Sequence, residues 1–198
     1  AGATRVTAWS WCLAVGSVAV ASALWGCAPL SGPDAGWTTL IDGGAGLSNW
    51  NRVGDANWRA EGGTVGAGES RGGCLVSKDS QRDCPVRAAF WAEHTTNSGV
   101  FVRLSDPARI SSKSGYEVNI YDQASKPAYG TGAIVNVAPV SVMPKAGGKW
   151  NTYEITAEGS RLVVVLNGVR TVDVRHGQFT QGPIALQYRT GPIKWRKV

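Results

Sequence analysis

Short runs of alternating apolar and polar residues, separated by Gly, Asn and Pro, recur through most of this 198-residue chain. Because successive side chains of a β-strand point to opposite faces of its sheet, each such run predicts a half-buried strand. Asn167-Gly168, between two Val-rich runs, is the strongest hairpin signal, since both central residues of that turn take a positive φ. The pattern predicts a β-sandwich with strands over residues 37–41, 58–61, 64–66, 73–77, 86–93, 99–104, 116–121, 151–157, 161–166, 169–174, 184–188 and 193–198.

The composition limits the class of protein and its partners. With 26 Gly, nine Trp and only 17% charged residues, the chain is typical of a β-rich domain with many turns, not of a disordered or coiled-coil protein. The formal net charge is +6, but Lys and Arg are scattered, apart from a short cluster at Lys194, Arg196 and Lys197. Because nucleic-acid binding needs clustered basic charge, we expect no nucleic-acid partner.

The N-terminal residues have the features of an export signal. Arg5 precedes an apolar run from residue 9 to residue 25, which Gly and Ser interrupt and which is short for a membrane span. Leu24-Trp25-Gly26-Cys27 resembles the bacterial lipobox, and this resemblance implies that Cys27 is lipidated. An ordinary signal peptide and an uncleaved anchor are the alternatives.

Three segments follow from that interpretation. We expect a lipoprotein signal peptide over residues 1–26, a short tether over 27–35 rich in Pro, Ser and Gly, and one domain over 36–198. The expected location is the cell envelope, either lipid-anchored to a membrane or periplasmic or extracellular.

Beyond Cys12 in the signal and Cys27, two cysteines remain, Cys74 and Cys84. Each falls near the end of a predicted strand, and a polar turn joins the two strands, so an antiparallel hairpin would place the cysteines opposite each other. An exported domain lives in an oxidising space, which favours a structural disulfide. A metal-binding pair is the alternative, but no His or further Cys lies nearby in the sequence.

Two predicted strands carry polar groups suited to a sugar. In 99–104 and 116–121, one face of each strand is apolar, and the other carries Arg103, Glu117 and Asn119. If the strands are neighbours in one sheet, these three side chains share a surface. A carboxylate, a guanidinium and an amide beside aromatic rings are the groups that a carbohydrate site needs.

Four further residues are candidate sugar ligands. Gln187 and Arg189 lie opposite in parity to the apolar residues of their strand, so they point to the face away from the core. Trp91 is either a stacking platform for a sugar ring or a packing residue. Asn97, just before a Ser-Gly pair, either binds the ligand or caps its strand.

A set of short motifs follows in order along the expected domain. They include Asn97-Ser98-Gly99-Val100-Phe101 and Gly115-Tyr116-Glu117-Val118, and the others occupy residues 36–40, 47–50, 58–63, 72–78, 150–155, 166–168, 182–187 and 193–198. From residue 36 to residue 198 the chain resembles the 3-keto-disaccharide hydrolase domain. The resemblance implies an all-β, concanavalin A-like jelly-roll sandwich of two antiparallel sheets, with a concave face that handles sugars.

The resemblance also implies an activity. Members of the family cleave 3-keto-glycosides by eliminating the aglycone and hydrating the resulting 3-keto-2-hydroxy-glucal, so the expected partner is a small oligosaccharide or glycoside. Glu117 matches the family's Gly-Tyr-Glu motif and is expected to be either the base or a key ligand of the sugar hydroxyls. Arg103 is expected either to hold the enolate oxygen or to pair with Glu117. Family members often carry a His near Gln187, where this chain has Tyr188 and Arg189.

Two alternatives stay open at this point. One is a non-catalytic, lectin-like envelope protein on the same fold, since a fold does not fix a function. The other is a structural envelope protein with a degenerate site. No zinc-type spacing is present, and calcium is a candidate cofactor only because Asp122 and backbone carbonyls offer oxygen ligands.

Overall fold

The computed structural model describes residues 35–198. The expected signal peptide (1–26), the lipidation site Cys27 and the tether up to residue 34 lie outside the described residues, so these stay predictions. Within residues 35–198, no helix has both the length and the apolar character that crossing a membrane would require.

The described residues form twelve strands and two short 3-10 helices, Leu47–Asn49 and Pro127–Tyr129. In chain order the strands are β1 (Trp50–Gly54), β2 (Arg59–Glu61), β3 (Thr64–Ala67), β4 (Gly73–Gln81), β5 (Cys84–Ala92), β6 (Asn97–Val102), β7 (Tyr116–Tyr121), β8 (Trp150–Glu158), β9 (Arg161–Leu166), β10 (Val169–Arg175), β11 (Gly182–Thr190) and β12 (Ile193–Lys197).

These strands make two sheets, and every strand pair in them is antiparallel. The five-stranded sheet has the order β1-β4-β11-β6-β7, and the seven-stranded sheet has the order β10-β9-β8-β5-β12-β3-β2. Consecutive strands often belong to opposite sheets, as β4 and β5 do, so the chain crosses repeatedly between the two layers. The predicted all-β jelly-roll sandwich of two antiparallel sheets is confirmed.

The main core lies between the sheets and is built from the inward residue of each alternating pair. Phe90 on β5 is its aromatic centre: its ring centroid lies 5.1 Å from that of Tyr153 and 5.7 Å from that of Trp195. All three side chains are fully buried. At about 25 cal/mol per Å² of apolar surface, such aromatic residues are among the largest contributors to the stability of the fold.

One predicted strand, over residues 37–41, does not form, and one strand of the structure, β1, was not predicted. Residues 37–41 form no strand: Leu40 and Ile41 donate their backbone N–H groups to the carbonyl of Val198, without a continuous ladder. In contrast, β1 forms on the edge of the five-stranded sheet, where Trp50 is its one fully buried residue. With a single buried side chain, β1 shows no apolar alternation in the sequence.

The predicted disulfide between Cys74 and Cys84 is wrong. Both cysteines are free. The hairpin that would have paired them does not exist, because Cys74 lies on β4 in the five-stranded sheet and Cys84 begins β5 in the seven-stranded sheet.

The long segment between β7 and β8 is held by the buried carboxylate of Asp122. That carboxylate accepts hydrogen bonds from the backbone N–H groups of Ala146 and Gly147 and from the hydroxyl of Thr131, at 2.7–3.0 Å. Residues 132–135 then run beside β7 and share backbone hydrogen bonds with Glu117 and Asn119. The segment therefore extends the edge of the five-stranded sheet.

Candidate functional site

The outer face of the five-stranded sheet carries most of the polar residues that the sequence singled out. Cross-strand register aligns Cys74 on β4, Gln187 on β11, Gly99 on β6 and Asn119 on β7 in one row. Glu117 lies in the next row, opposite Phe101. Val118 and Leu186, which alternate with these residues along their strands, belong to the core between the sheets. The side chains of both rows therefore face outward.

Glu117 and Gln187 meet because the strand between them has no side chain at the crossing point. The Nε2 of Gln187 donates a hydrogen bond to the Oε1 of Glu117 at 3.1 Å. A Cβ added at Gly99 would lie 3.7 Å from that same oxygen and only 3.0 Å from the carbonyl of Val118. Glycine at this position therefore keeps the two polar side chains in contact.

A small apolar cluster desolvates Glu117 from one side. It consists of outward residues of β4, β6 and β11 with Leu104 from the following loop, namely Cys74, Val76, Phe101, Leu104 and Ala185. Burial raises the pKa of the half-buried Glu117 carboxyl above its usual range, although the hydrogen bond from Gln187 and the positive charge of Arg189 act in the opposite direction. A carboxylate with a raised pKa is a stronger base than an exposed one.

The amide of Gln187 uses its nitrogen, and not its oxygen, in the contact with Glu117. Its Oε1 is buried and has no hydrogen-bond partner among the described residues. An amide donates through its nitrogen and accepts through its oxygen, so half a turn of the amide would let the Oε1 of Gln187 accept a hydrogen bond from the O–H of a neutral Glu117. The pair therefore suits a carboxyl group that changes its protonation state.

Two neighbours set the chemical character of the site. Cys74, beside Gln187, is buried, and burial together with the charge of Glu117 raises its pKa to about 12. The thiol is neutral at physiological pH and is part of the floor, not a nucleophile. Arg189, further along β11, is exposed, and its positive charge reaches Glu117.

Residues 36–198 match the model of the 3-keto-alpha-glucoside-1,2-lyase-like domain, which is most of the chain. The chain belongs to this family. Among curated proteins no match is found. Family membership supports a carbohydrate-active protein.

Solved structures share the fold of this lyase-like domain. A candidate glycosyl hydrolase from Parabacteroides distasonis ATCC 8503 is 23% identical, with a TM-score of 0.64 over 80% of this chain and 95% of that one. A second one from the same organism is 13% identical, with a TM-score of 0.65 over 76% and 87%. The carbohydrate-binding module CBM66 from Bacillus subtilis is 15% identical, with a TM-score of 0.59 over 75% and 92%. At these identities the likeness concerns the fold alone.

Within the lyase-like domain, the expectation that Arg103 shares a surface with Glu117 is wrong. Arg103 follows β6 with a φ of 55°, which turns its side chain away from the outer face. Its guanidinium is buried and donates to the carbonyl oxygens of Arg82, Gly159 and Phe179, and it pairs with Asp83 at 2.9 Å. Arg103 thus joins three loops.

Trp91 is also away from Glu117. It lies on β5, in the outward row of the seven-stranded sheet, so the proposed stacking platform belongs to the opposite side of the sandwich. Its neighbour Phe90 is in the core, so Trp91 has the outward parity of its strand. What parity does not reveal is the sheet to which a strand belongs.

Asn119 and Asn97 lie on the predicted face of the sheet, but they are less well placed than Glu117 and Gln187 to contact a sugar directly. The Nδ2 of Asn119 donates to the carbonyl of Tyr129 at 2.6 Å, and the residue is buried. Asn97 is half-buried, one row beyond Asn119 and two rows from Glu117, which is roughly 13 Å along a strand. As direct ligands of a sugar, both stay predictions.

The sequence missed two residues of this site. Cys74 has the outward parity of its strand, but the expected disulfide hid that signal. Tyr129, which is 45% exposed, borders the site through its backbone carbonyl, which accepts a hydrogen bond from Asn119. It lies in a segment without any alternating pattern. Tyr188, next to Gln187, faces the core and cannot replace the His that the family often carries there.

Metal ligands are sparse in the described part of the chain. Within residues 35–198, no group of three or more His, Cys, Asp or Glu side chains is arranged to hold a metal ion. The carboxylate of Asp122, the candidate calcium ligand, is engaged by backbone N–H groups and a hydroxyl.

Proposed function

We propose that this domain cleaves 3-keto-glycosides by elimination and hydration, with Glu117 as the catalytic base. Family membership supports the substrate class. The observation that carries the proposal is a half-buried carboxylate with a raised pKa, held by Gln187 on the outer face of the five-stranded sheet.

The reaction needs one base in the right place. The ketone at C3 acidifies the proton on C2, and Glu117 removes that proton to give an enolate. The enolate collapses, the bond from C1 to the aglycone oxygen breaks, and the leaving group takes a proton from solvent or from the neutral Glu117. Water then adds across the double bond, which restores the sugar as 3-keto-glucose.

The distribution of carboxylates favours this route over ordinary glycoside hydrolysis. Displacement at C1 uses two carboxyl groups, about 5–10 Å apart, on the two sides of the glycosidic bond. Within the five described strands of the smaller sheet, the carboxylates are Glu117 and Asp79. Asp79 lies at the exposed end of β4, beyond a register shift with β11 and three strands away from Glu117. Elimination from a 3-keto-sugar needs only Glu117.

Gln187 and Arg189 have supporting roles in this proposal. Gln187 holds Glu117 as an anion before proton transfer and, with its amide turned, as a neutral acid afterwards. Arg189, rather than Arg103, is a cation whose charge acts on Glu117, and that charge would stabilise the enolate oxygen. The apolar cluster around Phe101 strengthens both interactions by excluding water.

The direct test is release of 3-keto-glucose from 3-keto-trehalose and from a 3-keto-glucoside, followed with and without EDTA. We expect release by the wild-type domain, and a fall of roughly 10²–10⁴-fold in kcat for Glu117→Gln. Glu154→Gln, on the outer face of the other sheet, is the matched control and should leave the rate unchanged. Equal rates in Glu117→Gln and the wild type would remove Glu117 from the chemistry.

A second candidate function is non-catalytic carbohydrate binding. The fold is shared with the binding module CBM66, and this chain has Tyr188 and Arg189 where family members often carry a His. Binding of the 3-keto-sugars without release of product would favour this function over the first.

Export and anchoring are a separate part of the proposal and rest on the lipobox-like segment. In a bacterial host, Cys27 would carry the lipid and hold the domain at the cell envelope. Metabolic labelling with a fatty acid tests this: the label should appear in the full chain and be lost in Cys27→Ser. An unlabelled wild-type chain would instead leave an ordinary secretory signal or an uncleaved anchor.

A further inference from the structure

A second polar and aromatic surface lies on the outer face of the seven-stranded sheet. Cross-strand register aligns Trp150 on β8, Trp91 on β5, Lys194 on β12, Gly66 on β3 and Arg59 on β2 in one row. This row belongs to the sheet opposite the one that carries Glu117, so the two surfaces are on opposite sides of the sandwich.

Both tryptophans in the row are half-buried and are held in place by cations. The Nζ of Lys194 lies 5.3 Å from the ring centroid of Trp91, and the guanidinium carbon of Arg196 lies 4.2 Å from that of Trp150. Such cation–π contacts orient the rings. The aromatic groups are therefore pre-positioned at the surface, where their ordering has no further entropic cost on binding.

An open groove of about 870 Å³ is lined by four members of this row, all except Trp91. Gly66 lies on its floor and has no side chain, so nothing at that position separates the β2 side of the groove from the β12 side. A Cβ there would lie only 2.7 Å from the carbonyl oxygen of Ile193. Its walls offer an aromatic ring, two cations and two carboxylates, from Trp150, Arg59, Lys194, Glu61 and Glu69. The volume is in the range of small-molecule binding sites.

The charges of the groove indicate what it binds. Arg59 and Lys194 are balanced by Glu61 and Glu69, and Arg59 already pairs with Glu61 at 2.9 Å. A balanced groove has no strong field that would select a polyanion. It does present several donors and several acceptors beside an aromatic ring, which is the set that the hydroxyl groups and apolar ring face of an uncharged sugar require.

We propose that this groove is a second carbohydrate site, which binds a neutral oligosaccharide chain without cleaving it. The inference rests on the groove alone and does not depend on Glu117 or on its substrate. In the chain as a whole, a polysaccharide bound on this side keeps the domain close to glycans, while the Glu117 site on the opposite side remains open.

Binding of neutral glucan hexasaccharides with α-1,4, β-1,3 or β-1,4 linkages, measured by titration calorimetry, tests the proposal. We expect at least one of them to bind the wild-type domain and to bind Trp150→Ala roughly tenfold more weakly, as the loss of about 1.4 kcal/mol implies. Lys194→Ala changes an exposed side chain and is the second variant, for which we expect a smaller loss in the same direction. Val169→Ala, on the edge strand β10, is the matched control and should bind like the wild type.

Glu117→Gln separates this site from the other one. It should bind the same hexasaccharide with unchanged affinity, even if the proposed 3-keto-glycoside activity is lost. The proposal is overturned if none of the glucans binds, if affinity depends on Glu117 and not on Trp150 and Lys194, or if an acidic polyuronate binds at Trp150 in place of the neutral chains.

Discussion

Replacing Arg103 distinguishes a structural residue from a catalytic one. Its side chain is 3% exposed, and its guanidinium donates to three backbone carbonyls in separate loops and to the carboxylate of Asp83. Arg103→Met keeps much of the apolar volume and removes all of these donors. If Arg103 joins the loops, as its contacts indicate, the loss should appear in the stability of the domain and not in its chemistry.

The expected magnitude follows from the burial of the partners. Removing one member of a buried ion pair typically costs about 3–5 kcal/mol. Asp83 is 52% exposed and regains water, which places Arg103→Met near the lower end, at about 3 kcal/mol. For a domain of this size, that corresponds to a fall in Tm of roughly 6–12 °C. Arg103→Lys keeps a charge but lacks the planar fork of donors, so we expect an intermediate loss.

Urea denaturation, followed by tryptophan fluorescence, measures the free energy of unfolding. The kcat/KM for a 3-keto-glucoside is measured at a temperature well below the Tm of the wild type and of Arg103→Met. We expect lower stability with nearly wild-type kcat/KM. Arg109→Met is the matched control, because the Arg109 side chain is 88% exposed, and it should change neither quantity. Normal stability of Arg103→Met with loss of turnover would refute the structural role and return Arg103 to the site.

Three further outcomes are expected. Because burial raises the pKa of Glu117, the folded state binds a proton more tightly than the unfolded chain, and the stability of the domain falls as the pH rises from the unfolded-state pKa to the folded-state pKa of this carboxyl. Glu117→Gln should therefore have a higher Tm than the wild type at pH 8 and a similar Tm at pH 4. A lower Tm of the variant at pH 8 would contradict this reasoning. Asp122→Ala leaves buried backbone N–H groups without an acceptor, so it should lower the free energy of unfolding by roughly 2–4 kcal/mol. It should also expose residues 123–149 to limited proteolysis. Unchanged cleavage would show that other contacts hold the segment. In the reduced native domain, a disulfide reagent at pH 8 should modify the half-buried Cys84 faster than Cys74, whose pKa is about 12, and equal rates would mean that Cys74 is accessible.

Much of the fold could be predicted because most strands bury one face. Alternation in the sequence marks the inward residues of β6, β7 and β11, and the same parity assigns Glu117, Gln187 and Arg189 to the face away from the core. The pairing of β6 with β7, which was the condition for a shared polar surface, is present in the structure. Parity therefore predicts the side of a strand on which a residue lies.

The remaining features depend on information that parity does not contain. A positive φ at Arg103 ends the alternation of β6, and non-glycine residues adopt that conformation too rarely for the sequence to indicate it. Whether consecutive strands pair or cross to the opposite sheet is set by the whole topology. For this reason Cys74 and Cys84 were wrongly paired, and the sequence could not indicate that Trp91 and Glu117 lie on different sheets. The groove at Trp150 joins residues from β2, β3, β8 and β12, which only the folded sheet brings together.

The most direct test of the proposed chemistry follows the hydrogen on C2 of the substrate. A 3-keto-glucoside carrying deuterium at C2 is incubated with the domain in ordinary water, and the released 3-keto-glucose is examined by mass spectrometry at early times, beside labelled product incubated alone. Elimination with Glu117 as the base predicts product that has lost the deuterium, and almost no product from Glu117→Gln. Product that retains the deuterium, released at the same rate as from the unlabelled substrate, would mean displacement at C1 without breaking the C2–H bond. That result would contradict the proposed role of Glu117, whereas retention with a slower rate would mean that Glu117 returns the deuterium to C2.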